Sequence, residues 1–160
     1  MRKVVIPGTF DPITSGHLEV IERSSRLFDA VVVAVALSES KGAGPLFSLD
    51  ERVELARQAV AHLNNVEVLP FSNLLVDFAR EIGATALVKG LRATTDFEYE
   101  FQMAALNYRL APELETLFVT ASPDYTYVSS SVVKELASMG GTIAGMVPSN
   151  VEQALKERFA

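Results

Sequence analysis

Short apolar runs alternate along this chain with stretches whose apolar residues return every three or four positions. Val4–Ile6 reads as a first strand, and Leu18, Ile21 and Phe28 stripe the helix behind it. Ala30–Leu37 is nearly continuous in apolar residues, the pattern of a strand buried on both faces. Ser48-Leu49-Asp50-Glu51 has the spacing of a capping box, and Leu49, Val53, Ala56, Val60 and Leu63 form the stripe that follows. Val66–Leu69 predicts a third strand, and Asn73 to Ile82 a helix stopped by Gly83, a residue suited to a left-handed helix end. Thr85–Val88 and Thr116–Thr120 predict two more strands, separated by a helix from Asp96 to about Leu110 that ends ahead of Pro112. Ser129–Met139 predicts a helix closed by Gly140-Gly141, and a second capping box, Ser149-Asn150-Val151-Glu152, opens the last one.

Five strands separated by helices predict an α/β fold: a Rossmann-like, doubly wound sheet of five parallel strands with helices on both faces and right-handed crossovers. With 160 residues and no internal repeat, low-complexity tract or linker, the reading is one domain over residues 1–160. Such sheets bind ligands outside the carboxyl ends of their strands, near the point where strand order reverses. The segments leaving those ends are Pro7–Gly16, Ser38–Phe47, Pro70–Asn73, Lys89–Thr95 and Ala121–Ser130. Nearly every chemically suggestive residue falls in one of them.

Composition narrows the partners. The net charge of −6 and the absence of a dense Lys/Arg run argue against a nucleic-acid binder, so interest falls on where Lys41, Lys89 and Arg92 converge. The chain has no cysteine, which removes disulfide and thiol chemistry. No run approaches the ~18 to 20 apolar residues of a membrane span, and Val4–Ile6 is too short for a signal-peptide core. A cytoplasmic protein without membrane or nucleic-acid partners is expected.

Gly8 and Gly16 bracket a turn between the first strand and the first helix, with Thr9 just beyond the strand and His17 in the first helical turn. Free amides and the positive dipole end of a helix favour a phosphate there, and an adjacent imidazole adds a hydrogen bond as charge develops. The plainer alternative makes Thr9 and Ser15 turn caps and His17 a surface residue. Lys89 and Arg92 flank Gly90, where two close cations repel unless an anion neutralises them; the alternative is two solvated cations around a turn. Asp96 and Glu100, four apart, suggest a metal pair or a helix cap, and capping is preferred for Asp96. Phe97 and Phe101 belong in the core or a subunit interface. Ser129-Ser130-Ser131 opens a helix, where one serine suffices as a cap and a second helix N-terminus offers a further phosphate cradle. No clustered metal-ligand motif and no Ser-His-Asp set is present.

Gly8-Thr9-Phe10-Asp11-Pro12 with Ser15-Gly16-His17 resembles the T/H-x-G-H signature of the nucleotidylyltransferase superfamily. Lys89-Gly90-Leu91-Arg92, Asp96-Phe97-Glu98-Tyr99-Glu100 and Val128-Ser129-Ser130-Ser131 narrow the resemblance to the phosphopantetheine adenylyltransferase family, across essentially the whole chain. The resemblance implies reversible transfer of AMP from ATP to 4′-phosphopantetheine, giving dephospho-coenzyme A and pyrophosphate in the penultimate step of coenzyme A synthesis. It implies catalytic roles for Thr9, His17, Lys41 and Arg92, with His17 on the α-phosphate. It assigns ATP to Gly8, Thr9, Phe10, His17, Gly90, Leu91, Arg92, Glu100 and the run Tyr125, Thr126, Tyr127, Val128, Ser129, Ser130 and Ser131. Thr9, Lys41, Leu75 and Lys89 are implied to bind the phosphopantetheine. Taken alone, Lys41 reads as a solvated loop lysine and Leu75 as core. Lys89 departs from a frequent family arginine, replacing a bidentate fork by a point charge. The resemblance further implies Mg²⁺ assistance, a homohexamer and feedback binding of coenzyme A. The rival readings are a sister nucleotidyltransferase with another acceptor and a non-catalytic nucleotide sensor.

Overall fold

The computed structural model describes residues 1–38 and 44–160, with backbone alone at Thr94 and Thr95. Its five strands are β1 (Lys3–Gly8), β2 (Ala30–Ala36), β3 (Val66–Phe71), β4 (Ala86–Leu91) and β5 (Glu115–Thr120). They form one parallel sheet in the order β3-β2-β1-β4-β5. The helices are α1 (Ser15–Leu27), α2 (Leu49–Ala59), α3 (Leu75–Glu81), α4 (Thr94–Leu110), α5 (Ser130–Ser138) and α6 (Ser149–Arg158). Strand alternation sends Val4, Ile6, Val31, Val33 and Val35 to one face, where they pack with residues of α1, α2, α5 and α6. Val5, Val32, Ala34 and Leu87 face the other way, against Val76, Phe78 and Ala79 of α3. Burial on both faces explains why β2 has no polar position. The doubly wound sheet expected from the sequence is the observed one.

Strand order reverses between β1 and β4, so the loops after these two strands diverge and leave a crevice. No described helix is long and apolar enough to cross a membrane.

Several helix starts differ from the sequence reading. Helix α1 does open at Ser15, with Thr14 as its cap. Helix α3 begins at Leu75 rather than Asn73, whose amide group instead donates to Glu81 at 3.1 Å. Helix α4 starts two residues before Asp96, which therefore sits in the first turn and caps nothing. At α6 Pro148 occupies the cap position, so Ser149 is already helical and its capping box does not form. Only the box at Ser48 closes as expected, with reciprocal bonds between Ser48 and Glu51. Phe97 and Phe101 are not core residues: both are exposed, their rings tilted against each other with centres 5.6 Å apart.

Candidate active site

Helix capping sets the orientation of His17. Thr14 accepts from the His17 amide through its hydroxyl, while the Thr14 amide donates to His17 Nδ1 at 3.0 Å. This is a capping box with histidine in the position usually held by Glu or Gln. A backbone N–H can only donate, so Nδ1 is the acceptor and the neutral ring carries its proton on Nε2. Nε2 has no protein partner among the described residues. Burial lowers the His17 pKa from 6.5 to about 4, and the nearby charges of Arg92 and Lys89 add to the effect. At neutral pH the residue is thus an uncharged hydrogen-bond donor.

His17 lines a cavity of about 340 Å³ at the switch point. Gly8 and Phe10 from the loop after β1 contribute to the same wall, as do Lys89, Gly90, Leu91 and Arg92 from the end of β4. Tyr125, Val128, Ser129, Ser130 and Ser131 close the opposite side, and Asp96 and Glu100 look in from α4. Two glycines permit this approach. A Cβ on Gly8 would stand 3.0 Å from the Phe10 ring, and one on Gly90 3.0 Å from the Val20 side chain.

Two helix N-termini border the cavity. In α1 the Ser15 amide is consumed by the Met146 carbonyl and the His17 amide by Thr14, leaving the Gly16 amide without a protein acceptor among the described residues. In α5 Ser129 is the cap, accepting from the Val132 amide at 3.1 Å. The Ser130 hydroxyl donates to the Pro12 carbonyl at 2.8 Å and ties α5 to the β1–α1 loop. The amides of Ser130 and Ser131 have no protein acceptor among the described residues, as an anion-binding helix end requires.

The two cations are neutralised internally. Lys89 Nζ lies 3.2 Å from Glu100, and Arg92 Nε lies 3.2 Å from Asp96. Arg92 also donates to the Val128 carbonyl at 3.2 Å, which links β4 to the segment before α5. Asp96 and Glu100 are therefore counter-ions to separate cations, and the described residues contain no group of three or more side chains able to hold a metal ion.

Other expected residues lie apart. Thr9 is exposed and does not line the cavity, although its neighbours on both sides do. Thr126 and Tyr127 are exposed and turned away, and Leu75 packs against the core of the opposite sheet face. Lys41 lies outside the described residues. Sequence reasoning passed over Thr14, although Thr14-x-x-His17 has the capping-box spacing. It also gave no role to two buried residues, Asp11 and Arg52, or to the partner of Asp11, Lys134. Arg52 bonds only to main-chain carbonyls, which leave no pattern in a sequence.

Paired helix ends, a neutral histidine and two cations meet at the switch point of a parallel sheet, the setting of a phosphate-binding site. Residues 5–136 match the family model for cytidylyltransferase-like proteins. A protein of Methylococcus capsulatus named phosphopantetheine adenylyltransferase is 53% identical over 156 residues, spanning 98% of this chain and 95% of that protein. The chain belongs to the phosphopantetheine adenylyltransferase family. A crystal structure of a proposed nicotinate-nucleotide adenylyltransferase from Vibrio parahaemolyticus shares the fold, with a TM-score of 0.68 at 16% identity over 98% of this chain and 99% of that one.

Proposed function

We propose that this chain transfers AMP from ATP to 4′-phosphopantetheine, forming dephospho-coenzyme A and pyrophosphate. The observation that carries the reading is the His17 Nε2–H: an uncharged donor with no protein acceptor among the described residues, in a cavity bordered by two open helix N-termini. An oxygen of the pantetheine phosphate attacks the α-phosphorus of ATP, and the bond from that phosphorus to the bridging oxygen breaks to release pyrophosphate. The attacking group is already anionic, so no general base is needed, and catalysis comes from alignment and charge stabilisation.

His17 donates to an α-phosphate oxygen as its charge grows. The Gly16 amide and the amides of Ser130 and Ser131 take phosphate oxygens, with Gly8, Phe10, Gly90, Leu91, Glu100, Tyr125 and Val128 to Ser131 enclosing the nucleotide. Arg92 meets the ATP phosphates. Thr9, Lys41, Leu75 and Lys89 serve the pantetheine phosphate and its arm. As each phosphate arrives, Arg92 and Lys89 exchange carboxylate partners for phosphate. Mg²⁺, if it accompanies ATP, would be held mainly by phosphate oxygens and water and would supply further neutralisation of phosphate charge, since the described residues hold no group of three or more metal-ligating side chains.

A pyrophosphate-release assay with ATP and 4′-phosphopantetheine tests the reading. Release with that acceptor is expected; release only with another acceptor indicates a sister nucleotidyltransferase, and ATP binding without turnover a sensor. His17→Ala is expected to lower kcat by about 10²–10³ with a smaller change in ATP binding. Near-normal turnover in that variant removes its assigned role.

The proposal extends to a cytoplasmic homohexamer with coenzyme A as a feedback ligand. The exposed Tyr99, Phe101, Tyr108 and Leu110 of α4 support association, since a monomer gains nothing by leaving them in water. Coenzyme A contains the pantetheine arm of the acceptor, so it competes for the same cavity. Analytical ultracentrifugation reads the first claim and inhibition kinetics the second.

A further inference from the structure

Arg52 stands near the start of α2 and is 1% exposed. Its Nε donates to the Phe47 carbonyl at 3.1 Å, Nη1 to those of Thr9 and Ala36 at 2.8 and 2.7 Å, and Nη2 to that of Leu37 at 3.1 Å. The guanidinium thus spends its donors on the chain leaving β1, the chain leaving β2 and the entry to α2. No carboxylate forms an ion pair with it among the described residues. Burying an unpaired cation is costly, and an apolar side chain would fill the space at lower cost. The charge remains because it gathers carbonyl oxygens that no apolar group can hold.

Asp11, 4% exposed, makes the complementary set of contacts. Its carboxylate accepts from the amides of Leu46 and Phe47 at 2.8 and 2.9 Å and from Lys134 Nζ at 2.9 Å. Phe47 is therefore held twice, its amide by Asp11 and its carbonyl by Arg52. Burial pushes the Asp11 pKa up, but Lys134 and the two amides outweigh it, and the carboxyl titrates below its usual value.

Between the two held residues, Thr9 and Asp11, lies Phe10 with φ of 48°. A bulky side chain is disfavoured in this left-handed region and persists there only when its surroundings impose it. The Phe10 ring is buried and meets the His17 imidazole edge-on, with centres 5.0 Å apart. Both flanks of the strained residue are fixed from outside the cavity, which neither Arg52 nor Asp11 lines.

We propose that Arg52 and Asp11 are positioning residues that lock Phe10 in its left-handed conformation and thereby fix the Thr9 backbone and the His17 ring. The effect on rate rests on the adenylyl-transfer reading above; the effect on the ring does not.

The test uses Arg52→Lys and Lys134→Gln in the full chain, with three readouts: His17 ring-proton NMR shifts without ligand, kcat and KM for both substrates, and the thermal midpoint. Lysine cannot reproduce the fork, so Arg52→Lys is expected to move the His17 signals as the Phe10 ring shifts. Its kcat should fall about 10²-fold, the cost of a displacement near 1 Å, while KM for ATP stays within about threefold. Lys134→Gln removes one of three donors to Asp11 and should show the same signature, at about tenfold in kcat, even if Arg52→Lys fails to fold. Unmoved His17 signals in a folded variant overturn the proposal, as does a rate loss that only tracks the unfolded fraction. If the parent protein releases no pyrophosphate, the adenylyl-transfer reading fails, and the ring signals still decide the positioning role.

Discussion

Acidification should destabilise this protein through His17 before the carboxylates titrate. The ordinary histidine pKa of 6.5 applies to the unfolded chain, while burial first, then Arg92 and Lys89, holds the folded value at about 4. Between these values the unfolded state binds a proton that the folded state refuses, so stability falls as pH drops through 6.5. The linkage relation makes the loss from this group negligible at pH 7, about 2 kcal/mol at pH 5 and about 3 kcal/mol at pH 4. The assay is urea denaturation of the parent and His17→Gln across this range. Glutamine does not titrate, so the variant should lack that part of the slope. Parallel pH profiles for the two proteins would refute the assignment, as would an NMR midpoint for His17 above 6. The kinetic counterpart is a kcat/KM with no His17-dependent inflection between about pH 5.5 and 8, because in the free enzyme a group neutral throughout that window has no proton to gain or lose.

Glu100→Gln frees Lys89 from its ion pair and should lower KM for the phosphopantetheine about two- to fivefold, the range a partly exposed pair allows. A raised acceptor KM with unchanged ATP kinetics counts against Lys89 as the acceptor-phosphate cation. Gly90→Ala pushes a Cβ to within 3.0 Å of Val20 on α1, so it should lower the thermal midpoint, at a cost of about 1–3 kcal/mol. Gly16→Ala meets only ordinary contacts, 3.5 Å or more from its neighbours, and should keep its stability while raising KM for ATP. Wild-type ATP kinetics in that variant would show that no phosphate approaches the Gly16 amide.

The sheet was legible because its signal is the exclusion of polar residues: nothing but a strand buried on both faces explains Ala30–Leu37. Helix starts were legible only where the cap obeys a common code. Ser48 and Glu51 obey it, but at α1 the responding side chain is His17, and at α6 Pro148 takes the cap and leaves Ser149 inside the helix. Cavity residues were legible when they sit at strand ends, as Lys89 and Arg92 do. Their counter-ions were not, because the pairing of Arg92 with Asp96 depends on α4 beginning at Thr94. The aromatic residues of α4 were less legible: hydrophobicity allowed Phe97 and Phe101 either a core or an interface place, and only the fold shows them exposed.

Charge balance links these features to the proposed reaction. A protein of net charge −6 must attract two polyanions to one cavity. Unpaired cations at Lys89 and Arg92 would repel each other in the ligand-free state, and α4 relieves that by placing Glu100 and Asp96 beside them. The same carboxylates oppose phosphate binding, so part of the attraction must come from groups that carry no full charge: the helix amides at Gly16, Ser130 and Ser131, and the neutral His17. Such donors stabilise developing charge without a counter-ion of their own, and they bind the departing pyrophosphate less tightly than further cations would. For a reversible transfer that distinction matters, since product must leave as readily as substrate enters. Replacing His17 by lysine should therefore tighten binding of the product that carries the transferred α-phosphate, dephospho-coenzyme A, while lowering kcat, a split that product inhibition by dephospho-coenzyme A would read directly. Weaker dephospho-coenzyme A binding in His17→Lys would show that the imidazole contributes more than a neutral donor at that position.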